Sequence, residues 1–455
     1  MATHLADLDF PPYVIKCVDE THFLVAGGGG QARTGVPNAI EILEVQRKGH
    51  RLLTESKLRY DTDNGEDRSA IMNAALRFDG KEYLLATGKE ENCQFYKFVK
   101  ATKVLEEDGE DVGVSQTSHK NDKGNDAGTR KRKKGKDSKQ PTNANNSKPS
   151  TKPQETEEDS KPSDNNSKEP TLVTTFEVER LESVQTDFTE GEKYQKTVCF
   201  SPNGLFFTAA GADGHIRMWS YPSCEQQYEI KAHSKEVDDI IINPLGNRLV
   251  SVSRDSTASV WKTIDGSKVC DLIWDGLPAE QASGYRVRCC RFGFIENDPS
   301  KSSMYTIHVP RVQGKKKSSY LTRWNSLKFT TEKTVCTGTD ALSAINISHS
   351  GNYVGVGTMG GSIGIYISFS LKKLRLVRDV HGIFVTGLCF IPMTKTTREL
   401  LGDLETAVLS VSADKKVSIV AIEPSMEFPA WLVFVGAFLL IVLIITGLGA
   451  LGFNL

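Results

Sequence analysis

Residues 194–230 read YQKTVCFSPNGLFFTAAGADGHIRMWSYPSCEQQYEI. Four runs rich in apolar and β-branched residues stand out: Lys196–Phe200, Phe206–Ala210, Ile216–Tyr221 and Gln227–Ile230. Ser201-Pro202-Asn203-Gly204, then Ala212-Asp213-Gly214, then Pro222-Ser223 break them, and these residue types turn a chain back on itself. Each run is too short for a helix and long enough for a strand, so the stretch predicts a four-stranded antiparallel meander.

The next stretch repeats the order, with strands expected at Ile240–Ile242, Arg248–Ser253, Ala258–Lys262 and Lys268–Ile273. A repeat of about 40 residues is the period of a propeller blade. Asp213 precedes Trp219 by the same spacing that separates Asp255 from Trp261, which sets a carboxylate in a hairpin turn and an indole on the following strand. His233 lies just before the second unit, where an imidazole can bond Asp255 through a strand serine such as Ser251. This resembles the structural tetrad of WD-repeat blades, and His233 reads as a structural histidine. Weaker units follow at Tyr13–Tyr60, Ile71–Asp187, Val287–Gly338, Leu342–Asp379 and Ile383–Ile422. The expected fold is all-β, a seven-bladed WD-repeat-like β-propeller over residues 1–425 followed by a single C-terminal transmembrane helix. The last unit ends at its third strand, so a segment near residue 1 is the candidate for the missing edge.

Two segments depart from the repeat. Lys103–Lys168 is rich in Ser, Asn, Lys, Asp and Pro and nearly free of large apolar residues, so it reads as a disordered insertion between outer strands of the second blade. Arg130-Lys131-Arg132-Lys133-Lys134 within it looks like a nuclear-localisation or polyanion patch, and solvated charge is the blander reading. The other departure, residues 430–451, carries no charge and matches the roughly 20 residues needed to cross a bilayer as a helix. Met1–Asp19 lacks the pattern of a signal peptide, which predicts a cytosolic propeller and a short lumenal tail at 452–455. The 9 cysteines show no Cys-x-x-Cys pair and agree with a reducing compartment. A net charge of −1 gives no reason to expect nucleic acid as a partner.

The most unusual local sequence is Ala26-Gly27-Gly28-Gly29-Gly30-Gln31-Ala32-Arg33-Thr34-Gly35-Val36-Pro37-Asn38. It is not a nucleotide loop: no Gly-Lys-Ser/Thr follows, and both flanks, His22–Ala26 and Ala39–Val45, look like strands. Consecutive glycines free the backbone to take positive φ and to converge its carbonyls, which can hold an alkali cation. An ordinary flexible hairpin explains the run equally well.

This glycine loop, with Val380–Thr386, Ala70–Asn73 and the C-terminal apolar run, resembles the prolactin regulatory element-binding protein family. The resemblance implies a guanine-nucleotide exchange factor at the endoplasmic reticulum membrane, acting on the small GTPase that initiates COPII coat assembly. It implies that Gly27, Gly28, Gly29 and Gly30 bind a potassium ion through their backbone. It also implies that Gly35, Val36, Pro37 and Asn38 form a GTPase-contacting tip, with Asn38 the foremost polar contact. Such a regulator needs no bond-making chemistry of its own. The alternatives are a membrane-anchored propeller scaffold without exchange activity and a nuclear DNA-associated regulator, the latter opposed by the anchor.

Overall fold

The computed structural model describes residues 2–31, 35–63, 68–105, 171–295, 298–312, 314, 317–424 and 430–450. Strand β1 (Ala2–Asp7) comes first, and the first blade follows as β2 (Pro12–Cys17), β3 (His22–Gly28), β4 (Asn38–Lys48) and β5 (Arg51–Asp61). The second comprises β6 (Asn73–Phe78), β7 (Tyr83–Lys89), β8 (Asn92–Leu105) and β9 (Thr171–Gln185), and the third β10 (Gln195–Phe200), β11 (Phe206–Gly211), β12 (His215–Ser220) and β13 (Gln226–Lys231). In the fourth lie β14 (Val237–Ile242), β15 (Arg248–Ser253), β16 (Ala258–Lys262) and β17 (Lys268–Asp271), which lead through the short α1 (Ala279–Ala282). The fifth is β18 (Tyr285–Ile295), β19 (Asp298–Pro310), β20 (Ser319–Asn325) and β21 (Thr331–Gly338). The sixth is β22 (Leu342–Ile347), β23 (Tyr353–Thr358), β24 (Ile363–Ile367) and β25 (Lys373–Val377). The seventh contains β26 (Val385–Phe390), α2 (Lys395–Leu401), β27 (Thr406–Ser412) and β28 (Lys416–Ile422), and α3 (Ala430–Ala450) ends the described chain.

Seven four-stranded antiparallel sheets therefore form among the described residues, as the repeat predicts. The missing edge of the last blade is β1, which pairs with β28 in the order β1-β28-β27-β26, with Ala2 opposite Val420 and Asp7 opposite Lys416. Leu5 and Phe10 are buried with Ile15, Phe23 and Leu409 in the seam between the seventh and first blades. Phe10 also lies beneath the Arg59 guanidinium, whose two terminal nitrogens donate to Asp9 at 2.8 and 3.0 Å.

The two sharpest sequence units fold as read. Trp219 is buried and stacks on Phe207 with centroids 5.2 Å apart. In the fourth blade Trp261 Nε1 donates to Ser251 Oγ at 2.8 Å, and Ser251 lies 2.8 Å from His233 Nε2. His233 Nδ1 meets Thr257 Oγ1 at 2.7 Å and Asp255 at 3.5 Å. Burial pushes this imidazole below its ordinary pKa, although Asp255 opposes the shift. Asp255 would be raised by burial, but hydrogen bonds from Thr257 and Ser234 hold it at about 2. His233 is thus tied at both nitrogens, in keeping with a structural role.

Lys103–Leu105 belong to β8, so the ordered strand runs past the expected start of the insertion. The rest of Lys103–Lys168, with Arg130–Lys134, lies outside the described residues. Residues 102–174 form a unit of their own, of which only the ends of β8 and β9 are described. Helix α3 covers 21 residues of the apolar run, and its side chains from Phe434 to Ile444 are exposed. Among the residues so described, no helix is long and apolar enough to cross a membrane.

Candidate functional site

In an antiparallel blade, the connection entering the inner strand and the hairpin between the second and third strands emerge at the same end. The glycine loop is the β3–β4 hairpin, so it rises from the face that also carries His233 and Asp255. Its glycines do different jobs. Gly27 and Gly28 are still strand, opposite Ala39 and Asn38 respectively. A Cβ on Gly27 would stand 2.1 Å from the Pro11 carbonyl oxygen, so only glycine lets β2 and β3 approach here. Gly28 has φ +148°, its N–H donates to Pro11 O at 3.0 Å, and a Cβ there would meet Asn38 Oδ1 at 2.0 Å.

Gly29 and Gly30 leave the ladder, and Gly30 takes φ +71°. The Asn38 side chain crosses the mouth of the loop, where Oδ1 accepts from Gly30 N at 2.9 Å. Its Nδ2 donates to Arg68 O at 2.7 Å and Asp63 Oδ1 at 2.8 Å. The Asn38 carbonyl accepts from Thr62 N at 2.8 Å. With 1% of its surface exposed, the Asn38 side chain clasps the base of the loop. Its amide donors and acceptor are engaged inside the protein. Val36 is half-buried, faces Gly29 and packs on the core between the seventh and first blades. Pro37 is also half-buried, whereas Gly35 is exposed with φ +76°. Residues 32–34, between these two groups, are outside the described set.

The structure brings together three partners that the sequence did not single out: Pro11, Asp63 and Arg68. None is close to the glycines in sequence, and none sits in a motif. Gln31 bonds Glu90 of the second blade, tying the loop to its neighbour. Gly30 and Gln31 also border the cavity along the ring axis, about 820 Å³ and walled by the inner strands. Within it, burial pushes the Lys16 ammonium down to about 8. The nine cysteines are all free thiols.

The model of the WD domain, G-beta repeat, matches residues 184–220 and 224–262, which take in strands β10 to β16 of the third and fourth blades. Guanine nucleotide-exchange factor SEC12 of Rattus norvegicus is 32% identical over 426 residues, covering 93% of this chain and 91% of that protein. The chain belongs to the SEC12 guanine nucleotide-exchange factor family. The protein of the same name from Mus musculus matches to the same extent, 32% over 426 residues. SEC12-like protein 2 of Arabidopsis thaliana is 24% identical over 237 residues, about half of each chain. SEC12 membership agrees with the family to which the glycine loop pointed, and it spans the propeller as a whole.

Proposed function

We propose that this SEC12-family chain is a guanine-nucleotide exchange factor that promotes GDP release from the small GTPase initiating COPII coat assembly, held at the endoplasmic reticulum membrane by α3. Full-length similarity to proteins named as exchange factors carries the activity. The glycine loop supplies the feature that would act. A regulator of this kind makes and breaks no bond. It binds the nucleotide-free GTPase more tightly than the loaded one, and by linkage the GTPase loses GDP affinity by the same factor.

A loop that enforces such a difference must keep its shape when a partner presses on it. Asn38 serves that end by fixing Gly30 to the base of the loop and by anchoring its own amide to Arg68 and Asp63. Gly35, with the Val36 and Pro37 backbone, would meet the GTPase. Potassium fits the donors present: they are oxygens, mostly uncharged, at a turn where glycines free the carbonyls to converge. Because Gly27 and Gly28 are committed to the β3–β4 ladder, the holding residues would be Gly29 and Gly30, with Asn38 and Asp63 nearby. The bound ion would supply positive charge that draws these oxygens together. As the proposed anchor, α3 would match a bilayer in length: 21 residues at 1.5 Å each extend about 30 Å, the thickness of the hydrocarbon core.

Release of fluorescent GDP from the coat GTPase tests this reading, with the propeller fragment 1–425 added in potassium or in sodium buffer. Acceleration that is stronger in potassium is expected. Binding of the GTPase without faster release would replace an exchange factor with a scaffold.

A further inference from the structure

The face that carries the glycine loop has a second recess, between the fourth, fifth and sixth blades, with a volume of about 520 Å³. It is formed by connections entering inner strands and by second-to-third-strand hairpins. Five cationic side chains line it, Lys235, Arg254, Arg286, Arg288 and Arg311, and no carboxylate is among the described lining residues. Two carboxylates lie just outside. Glu236 bonds Arg254 and Lys196, and Asp238 bonds Arg286 and the same Lys196. Two negative charges are thus shared among three cations. Among the described residues Lys235, Arg288 and Arg311 form no ion pair, and Arg311 reaches only the Ser283 carbonyl, at 3.4 Å. Arg288 borders both this recess and the axial cavity, and its Nε is buried without a hydrogen-bond partner.

From this surplus we infer that the recess binds a small polyphosphorylated ligand, several phosphates on one compact framework. Guanidinium forks match phosphate oxygens in paired hydrogen bonds, and the charge left over asks for a multiply charged group where one carboxylate would fall short. The volume is that of a small-molecule site, and the cations are gathered in one hollow, unlike the extended stripe that tracks a nucleic acid. The chemistry is the same whether the phosphates are free in solution or form a lipid headgroup. The site is separate from the glycine loop and does not depend on exchange activity.

Calorimetric titration of the propeller fragment 1–425, whose ring closes within residues 2–422, with inositol hexakisphosphate is the test. Saturable binding that weakens with salt is expected, and the exposed double variant K235E/R311E should bind at least about tenfold more weakly at unchanged melting temperature. R288Q should weaken binding as well, and should it fail to fold, the surface pair still decides. Flotation with vesicles containing phosphatidylinositol 4,5-bisphosphate, against phosphatidylserine vesicles, separates the sources. Selective flotation that hexakisphosphate competes away assigns a lipid headgroup, and binding of the soluble ligand alone assigns a free one. Equal binding by wild type and K235E/R311E overturns the inference. So does a variant whose only defect is weaker GTPase binding, because the recess would then be a docking surface for acidic protein.

Discussion

Asn38 Oδ1 accepts a hydrogen bond from Gly30 N at 2.9 Å, closing the glycine loop across its own base. The same amide donates to Arg68 O and Asp63 Oδ1, so one buried side chain joins three backbone segments. Asn38→Ala removes all of these bonds and leaves their partners unsatisfied in a site with 1% exposure. A stability loss of about 1–3 kcal/mol is expected. GDP release should slow by roughly tenfold or more, since a small misplacement of a working loop is expensive. Unfolding in urea and stopped-flow release of fluorescent GDP measure the two effects. Full exchange activity in this variant would remove the clasp from the mechanism.

Gly28 and Gly35 should differ sharply on replacement by alanine. At Gly28 the added Cβ would stand 2.0 Å from Asn38 Oδ1 in a strained backbone, and at Gly35 it would meet open space. Gly28→Ala should therefore cost more than the about 1–3 kcal/mol of backbone strain alone and disable the loop. Gly35→Ala should cost about 1 kcal/mol, from its φ of +76°. Comparing the two melting curves distinguishes a clasped loop from a slack one, for which both substitutions would be mild.

Removing residues 2–7 should destabilise the whole ring. Leu5 alone buries enough to contribute about 1.5–3 kcal/mol, and the loss of β1 also uncovers the hydrogen-bonding edge of β28. The truncated protein should melt markedly lower and associate on size-exclusion chromatography. Unchanged melting would mean that β28 does not need this partner.

Acid should weaken the fold through its buried histidines. Burial depresses His233 and His381 below their ordinary pKa, and it pushes His308 down to about 3. The unfolded chain therefore takes up protons at a higher pH than the folded one. Stability from these groups is lost as pH falls through and below about 6.5, and for His308 the loss approaches about 1.4 kcal/mol per pH unit between its unfolded and folded pKa values. Denaturation between pH 7 and 5 should show this slope, and His308→Asn should flatten it. A slope indifferent to that substitution would shift the cause to other groups.

The blades were legible where they carry an aspartate and a tryptophan at fixed spacing. In the fourth blade the strands Arg248–Ser253 and Ala258–Lys262 are found where the sequence placed them. The seventh blade has a similar relay that the sequence hid. His381 Nε2 lies 2.8 Å from Ser410 Oγ, and Nδ1 lies 3.3 Å from Asp414. Val420 occupies the position where a tryptophan would have marked it, so the histidine showed only as part of a family-like run. Helix α2 escaped notice because its start rests on a capping box between Thr394 and Thr397, with no acidic residue in its first turn.

The glycine loop was half legible. Its flanking strands were foreseen, but Gly27 and Gly28 proved to be part of β3, because the close approach of Pro11 is set by tertiary packing. Asn38 was chosen as the polar residue that matters, and it is the most connected of the loop's described residues, with its bonds pointing inward. The phosphate recess had no signature in the sequence: Arg254 and Arg311 come from hairpins of two different blades and Arg286 and Arg288 from β18, and only the packing of neighbouring blades gathers them.

Closure by β1 also dictates when the protein can become native. Ala2 pairs with Val420, so the ring stays an open arc until the ribosome has passed the last blade. Joining segments so far apart in sequence costs about 5 kcal/mol of chain entropy by the logarithmic loop law, and until it happens β28 offers bare amides and carbonyls to any other strand. The nascent chain is thus at its most vulnerable just as the hydrophobic segment of α3 emerges. Fusions or tags ahead of Ala2 will be tolerated only insofar as they leave that first strand free to thread into place.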